Sequence, residues 1–182
     1  MPSSSAPPVL ILTGAPGVGK TTVAASLASR YPRAVHLESD VFFRFVHSGY
    51  IEPWKPESNN QNRVVMQIVA AAAAGYAAAG YFTVIDGIVI PGWFLEPVRE
   101  ALHDAGHATA LAILRAPAEV CAARVRAREG DAGFDAAAID QLWRSFADVG
   151  ALEANVLDVD GGSVEWAAET LAQRLADGLL LI

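Results

Sequence analysis

Val9-Leu10-Ile11-Leu12-Thr13 runs directly into Gly14-Ala15-Pro16-Gly17-Val18-Gly19-Lys20-Thr21, and Thr22-Val23-Ala24-Ala25-Ser26-Leu27-Ala28 follows. An unbroken apolar run reads as a strand covered on both faces, and the alanine- and leucine-rich continuation reads as a helix. The residues between them fit G-x-x-x-x-G-K-[ST]. In that pattern a glycine-rich turn wraps backbone N–H groups around an anion and delivers it to a helix N-terminus. Gly14, Gly17 and Gly19 open backbone angles closed to other residues. Lys20 is placed to reach the β- and γ-phosphates as a point charge, and the Thr21 hydroxyl to ligate Mg²⁺. The expected nucleotide-binding set is Gly14, Ala15, Pro16, Gly17, Val18, Gly19, Lys20, Thr21 and Thr22, with ATP and Mg²⁺ as cofactors. A dinucleotide loop would run G-x-G-x-x-G with an acid further on, and these glycines, followed at once by Lys-Thr, do not.

The rest of the chain narrows the class. Its 182 residues, 53% hydrophobic, suit one domain over 9–182, preceded by a disordered tail over 1–8 with no signal-peptide pattern. A net charge of −7 argues against a broad grip on nucleic acid. The run Ile68 to Phe82 is mostly alanine, broken by Gly75 and Gly80, and too short to span a bilayer. The single Cys121 excludes an intrachain disulfide, reads as a small packing residue and is compatible with the cytoplasm, the expected location. The histidines His36, His47, His103 and His107 lack zinc-ligand spacing.

Strands and helices alternate, which predicts an α/β fold: a five-stranded parallel sheet with helices on both faces. Strands are expected at Val9–Thr13, Ala34–Glu38, Tyr81–Asp86, Ala108–Leu114 and Val156–Val159. Helices are expected near Lys20–Ser29, Val41–His47, Asn60–Ala79, Trp93–Ala105, Ala118–Arg128, Asp135–Val149 and Val164–Ala176. Ligands of such a sheet bind at the carboxyl ends of its strands. That rule selects Thr13, Glu38 to Asp40, Asp86-Gly87 and Arg115.

Several triphosphate-binding classes lack their marks here. The base-reading Asn-Lys-x-Asp of a GTPase is absent, since the other lysine lies in Trp54-Lys55-Pro56-Glu57, and no LSGGQ-like signature occurs. With Glu38-Ser39-Asp40, Val84-Ile85-Asp86-Gly87 and Leu114-Arg115-Ala116-Pro117 leading to Arg124 and Arg128, the chain resembles the small P-loop kinases of the nucleotide-kinase-like superfamily. Within them it is similar to an uncharacterised group of AAA-type ATPases placed with chloramphenicol phosphotransferase. His47-Ser48-Gly49-Tyr50-Ile51-Glu52-Pro53-Trp54 and Gln61-Asn62-Arg63 look typical of that group.

The resemblance implies a general-base role for Asp40, which follows the second strand opposite the phosphate loop, where an acceptor hydroxyl would sit. Capping of a helix beginning at Val41 is the alternative for Asp40 or Ser39, and Glu38 is a rival base. The resemblance also implies a short lid near 124–135, from which Arg128 or Arg124 folds over the phosphates. Asp86 ends an apolar strand, where a carboxylate serves either Mg²⁺ or the substrate cleft. Asp40, Arg44 and His47 share one helix face, and Asn59, Arg63 and Gln67 share another. Either stripe could line the acceptor cleft, with Arg44 and Arg63 reading substrate oxygens, or could simply face solvent. Trp54 and Tyr50 either pack under their loop or stack on a planar acceptor. Arg115 anchors the nucleotide or the sheet edge, and the Asp160-Gly161-Gly162 turn is placed to border the adenine.

The expected activity is phosphoryl transfer from ATP to a hydroxyl of a small molecule, an antibiotic or metabolite. Alternatives are a nucleotide or RNA-end kinase and, from another class, an ATP-binding switch with slow hydrolysis. Nucleic acid is a disfavoured partner, and no membrane association is expected.

Overall fold

The computed structural model describes residues 7–127 and 136–182. The expected Arg128, and the lid beyond Ala127, lie outside the described residues. The elements run β1 (Val9–Gly14), α1 (Lys20–Ala28), β2 (Ala34–Glu38), α2 (Ser39–Arg44), α3 (Asn59–Ala78), β3 (Phe82–Asp86), α4 (Leu95–Asp104), β4 (Thr109–Arg115), α5 (Ala118–Ala127), α6 (Ala136–Arg144), β5 (Val156–Asp158) and α7 (Val164–Ala176). Short 3₁₀ turns at Pro56–Ser58 and Gly150–Asn155 lead into α3 and β5.

The strands form one parallel sheet in the order β2-β3-β1-β4-β5. β1 is central, with Leu10 opposite Val84 on one side and Ala110 on the other. All its residues are buried, whichever way they point, so helices cover both sheet faces. Leu10, Ile11, Leu12, Leu111, Ile113 and Leu114 are fully inaccessible. Each such side chain contributes roughly 1.5–3 kcal/mol over its exposed state. The crossing from β1 runs to β2 on one side and that from β3 runs to β4 on the other, so the loops leaving the carboxyl ends of the neighbouring strands β1 and β3 diverge. At such a switch point a crevice forms for ligands.

Several expected boundaries shift. Helix α2 starts at Ser39 and stops at Arg44, not at His47. Its tail tightens into bonds from Phe45 N to Phe42 O and from Val46 N to Phe43 O, and Gly49 follows at φ 75. His47 therefore leaves the helix face shared by Asp40 and Arg44. Helix α4 begins at Leu95, because Pro91–Phe94 forms a turn in which the N–H groups of Trp93, Phe94 and Leu95 all converge on Ile90 O. Helix α6 closes at Arg144, before the expected Val149. Strand β5 ends at Asp158, one residue short of the expected Val159.

Candidate active site

The phosphate loop joins β1 to α1, and its glycines are required for different reasons. A Cβ on Gly14 would stand 2.3 Å from Leu114 O, and one on Gly17 would stand 2.3 Å from Cys121 O. Both contacts are with backbone, so the loop is pressed against β4 and α5 with no room for a side chain. Gly19 differs, since at φ +106 an added Cβ would meet nothing within 4 Å. Its glycine is demanded by conformation and leaves open space over the start of α1. Thr21 and Thr22 stand exposed in the first turn of α1, and Lys20 Nζ donates to the carbonyls of Gly14 and Ala15, each at 3.0 Å.

An open cradle of backbone, a lysine, a helix N-terminus and an exposed threonine hydroxyl fit the phosphates of a nucleotide. No group of three or more histidine, cysteine or acidic side chains that could hold a metal occurs among the described residues. Thr21 fits Mg²⁺ in the way that cation is usually held, by few protein ligands together with substrate phosphates.

Beside the loop a pocket is bounded by Val18, Gly19, Thr22, Arg124, Gly162 and Ser163. Arg124 Nη1 donates to Val18 O at 3.3 Å, bringing α5 onto the loop. The turn after β5 thus borders this pocket.

A second cleft lies beyond the carboxyl ends of β2 and β3. Its walls are Ser39, Asp40 and Phe43 from α2, Asn62 and Met66 from α3, Pro53 and Trp54 from the intervening loop, Ile88, Ile90, Trp93 and Phe94 from the β3–α4 connection, and Leu142 from α6. Three tethers hold these walls. Thr13 Oγ1 donates to Val89 O at 3.1 Å and accepts from Val89 N at 2.9 Å, tying the end of β1 to the β3–α4 connection. Gln61 grips Ile51 through both backbone groups. A Cβ on Gly87 would stand 2.2 Å from Ser39 Oγ, so only glycine lets the start of α2 sit against the end of β3.

Comparison with known proteins agrees with this fold. A family model described as an AAA domain matches residues 9–149. The chain belongs to the AAA-domain family. No curated protein matches it. Among solved structures, the tunicamycin resistance protein of Deinococcus radiodurans is 20% identical with a TM-score of 0.69, over 96% of this chain and 98% of that one. A sugar kinase from Janibacter is 21% identical with a TM-score of 0.68, over 95% and 98% of the two chains. Shikimate kinase from Acinetobacter baumannii, solved with shikimate, is 21% identical with a TM-score of 0.61, over 94% of each. At these identities the likeness is one of fold, and the fold is that of nucleotide-kinase-like P-loop proteins.

In this AAA-domain chain the predicted site residues separate into groups. Lys20, Thr21 and Arg124 gather at the phosphate loop, while Asp40 lines the second cleft. The cap of α2 is Glu38, without a side-chain capping bond, so Asp40 lies inside the first turn and does not cap it. Arg44 ends α2 on the exposed surface, outside the cleft walls. Arg63 donates to Asn60 Oδ1 at 2.9 Å and, with Asn59 and Gln67, lines a neighbouring groove behind Met66, Trp93 and Phe94. Asp86 is buried, stands opposite Glu38, and meets His36 Nε2 through Oδ2 at 3.1 Å. Arg115 turns to the sheet edge, where it pairs with Asp158 at 2.9 Å and Glu153 at 3.0 Å. The hydrogen bond to Asp158 raises its already high pKa further.

Burial raises the pKa of the Cys121 thiol, so the packing role expected of this residue is the one it has. Sequence reasoning did not reach Asn62, Met66, Ile88, Ile90, Phe94 and Leu142 as cleft walls. Only the Pro91-Gly92-Trp93-Phe94 turn after a strand end carried a usable signal, aromatic residues held at the mouth of a sheet.

Proposed function

We propose that the protein transfers the γ-phosphoryl group of ATP to a hydroxyl of a small molecule seated in the second cleft. The observation that carries this reading is the pairing of sites at one end of the sheet. A phosphate cradle follows β1, and a separate cleft, with Asp40 in its wall, opens past β2 and β3. A switch that only bound nucleotide would have no use for a second cleft with a carboxylate placed in its wall.

Lys20 exchanges its contacts with Gly14 O and Ala15 O for phosphate oxygens and balances charge on the transferred group. Thr21 would supply a protein oxygen to Mg²⁺, and the ion when bound would offset the charge of the phosphates. Asp40 accepts the proton of the acceptor hydroxyl as its oxygen bonds to the γ-phosphorus. The bond from that phosphorus to the β–γ bridging oxygen breaks, and ADP leaves. Arg124, bonded to Val18 O, helps close the nucleotide side of the site. Among acceptors, antibiotics and metabolites that carry a free hydroxyl belong to this class.

The test is a pooled panel of hydroxylated antibiotics, sugars, nucleosides and metabolites incubated with Mg-ATP, with phosphorylated products read by mass spectrometry. Asp40→Asn is expected to slow product formation by about 10²–10⁴-fold and to leave nucleotide affinity unchanged. Unimpaired transfer by that variant would remove Asp40 from the chemistry.

A further inference from the structure

Asn62, in the first turn of α3, is wholly buried, yet half of its amide has no partner. Nδ2 donates to Pro53 O at 2.7 Å and to Ser58 Oγ at 2.8 Å. These partners establish which end of the amide is which. A carbonyl only accepts, so Oδ1 turned towards Pro53 O would meet another acceptor. The Ser58 hydroxyl proton is directed at Pro53 O and Lys55 O, which leaves Ser58 Oγ as an acceptor towards Asn62. Oδ1 therefore points away from this loop, and no described group donates to it. An unmet buried acceptor costs roughly 1–3 kcal/mol, and a native fold that retains one calls for an explanation.

Asn62 lines the same cleft as Asp40, and Met66, one turn further along α3, lines it too. Oδ1 is shielded from solvent, so a ligand atom reaches it from within the cleft by displacing neighbouring side chains. Met66, unbranched and flexible, is suited to yield. The other walls are almost entirely apolar or aromatic: Phe43, Trp54, Ile88, Ile90, Trp93 and Phe94. Among the described lining residues there is no lysine, arginine or histidine, and Asp40 is the one charge. Among these described walls a carboxylate or phosphate on the acceptor would be desolvated with no cation beside it and would face Asp40.

We infer that the acceptor is an uncharged, largely apolar alcohol with an aromatic portion, and that it carries a second donor, an O–H or N–H, which bonds to Asn62 Oδ1. This rests on the kinase reading above and names its substrate class. The hydroxyl to be phosphorylated lies at Asp40 and the apolar body lies between the aromatic walls. Asn62 sets specificity, because a site built to receive a donor rejects the analogue lacking it more strongly than an apolar pocket rejects an extra methylene.

The probes are pairs of neutral aryl alcohols, each a phenol matched with its O-methyl ether. The first pair is 2-(4-hydroxyphenyl)ethanol and 2-(4-methoxyphenyl)ethanol, with gluconate and shikimate as anionic comparators. Binding to the full chain is followed by tryptophan fluorescence, with Trp54 and Trp93 in the cleft walls and Trp143 and Trp166 outside them, and transfer from Mg-ATP by mass spectrometry. The phenol is expected to bind about tenfold more tightly than its ether. Asn62→Leu should bring that ratio close to one, whereas Ser58→Ala, which perturbs the same loop but leaves Oδ1 in place, should preserve it.

Equal binding of phenol and ether by the wild-type protein, preference for the anions, or no binding of any aryl alcohol would overturn the inference. So would an unchanged ratio in Asn62→Leu. If that variant does not fold, the wild-type ratio decides alone. Donor-dependent binding without any phosphoryl transfer would leave Asn62 as the residue that reads a donor on the cleft's ligand and sink the kinase reading instead.

Discussion

The phosphate loop and the second cleft lie at the same end of one sheet but are built from different materials. The loop occupies one short stretch, Gly14 to Thr21, and its binding surface is mostly backbone. The cleft draws on side chains from Ser39 to Leu142, contributed by three helices and two connections. Backbone recognition constrains residue type through space and dihedral angle, as with a Cβ that would strike Leu114 O from Gly14. Side-chain recognition can be rewritten one position at a time without disturbing the frame. Solved structures of this fold accordingly include proteins as different as a sugar kinase, a gluconokinase and an APS kinase. The contrast teaches that a nucleotide can be written into a chain locally, whereas an acceptor is specified only by the assembled fold.

The largest test of that contrast lies within the loop. Gly17→Ala places a Cβ 2.3 Å from Cys121 O and 2.9 Å from Val125 Cγ2, at φ +78. It is expected to lose about 3 kcal/mol or more in urea denaturation, through overpacking against backbone that cannot yield cheaply. Gly19→Ala meets no neighbour and should lose only about 1–2 kcal/mol, from its left-handed backbone, while nucleotide affinity falls sharply. Equal stability losses in the two variants would break the distinction between a glycine that serves packing and one that serves the ligand.

Legibility in the sequence follows the same division. Short unbroken apolar runs rich in Leu, Ile and Val, such as Leu111 to Leu114, read as buried strands, and so the sheet could be read almost residue by residue. Asp40 could be placed at the mouth of the sheet because it follows a strand end. On α3 the periodicity offers more than one polar stripe, and nothing local says which faces inward. In the fold Asn62 lines the cleft, Asn59, Arg63 and Gln67 line the adjoining groove, and Met66, Trp93 and Phe94 stand between the two. Phe45 extended the apolar pattern of α2 and so the expected helix, yet it is 71% exposed beyond the helix end. The Ile88–Phe94 connection has no period at all, and its placement depends on a hydroxyl 76 positions away, that of Thr13.

That hydroxyl gives the next prediction, because it is the link between the two regions. Thr13→Val keeps the shape and removes both bonds to Val89, leaving a buried N–H unmet. About 1–3 kcal/mol of stability should be lost. If the tether positions the cleft wall, KM for the acceptor should rise while nucleotide affinity holds. A rise in both constants would mean that the regions are mechanically coupled and cannot be treated as separate designs.

The smallest effect is expected at Arg115, where a strand-end arginine could have belonged to either region. Its guanidinium bridges Glu153 and Asp158, with the three side chains 25%, 44% and 68% exposed. Exposed pairs of this kind contribute little, and Arg115→Met, which keeps the apolar stem, should lose less than about 1 kcal/mol. The loss should shrink further in high salt, since screening removes what the ion pairs supply. Nucleotide affinity, measured by titration in the same buffers, should not change, because the charge is already spent on the two carboxylates at the sheet edge. A clear fall in affinity would place a side-chain cation among the nucleotide's contacts, and the phosphate end would then depend on the assembled fold as much as the acceptor end does.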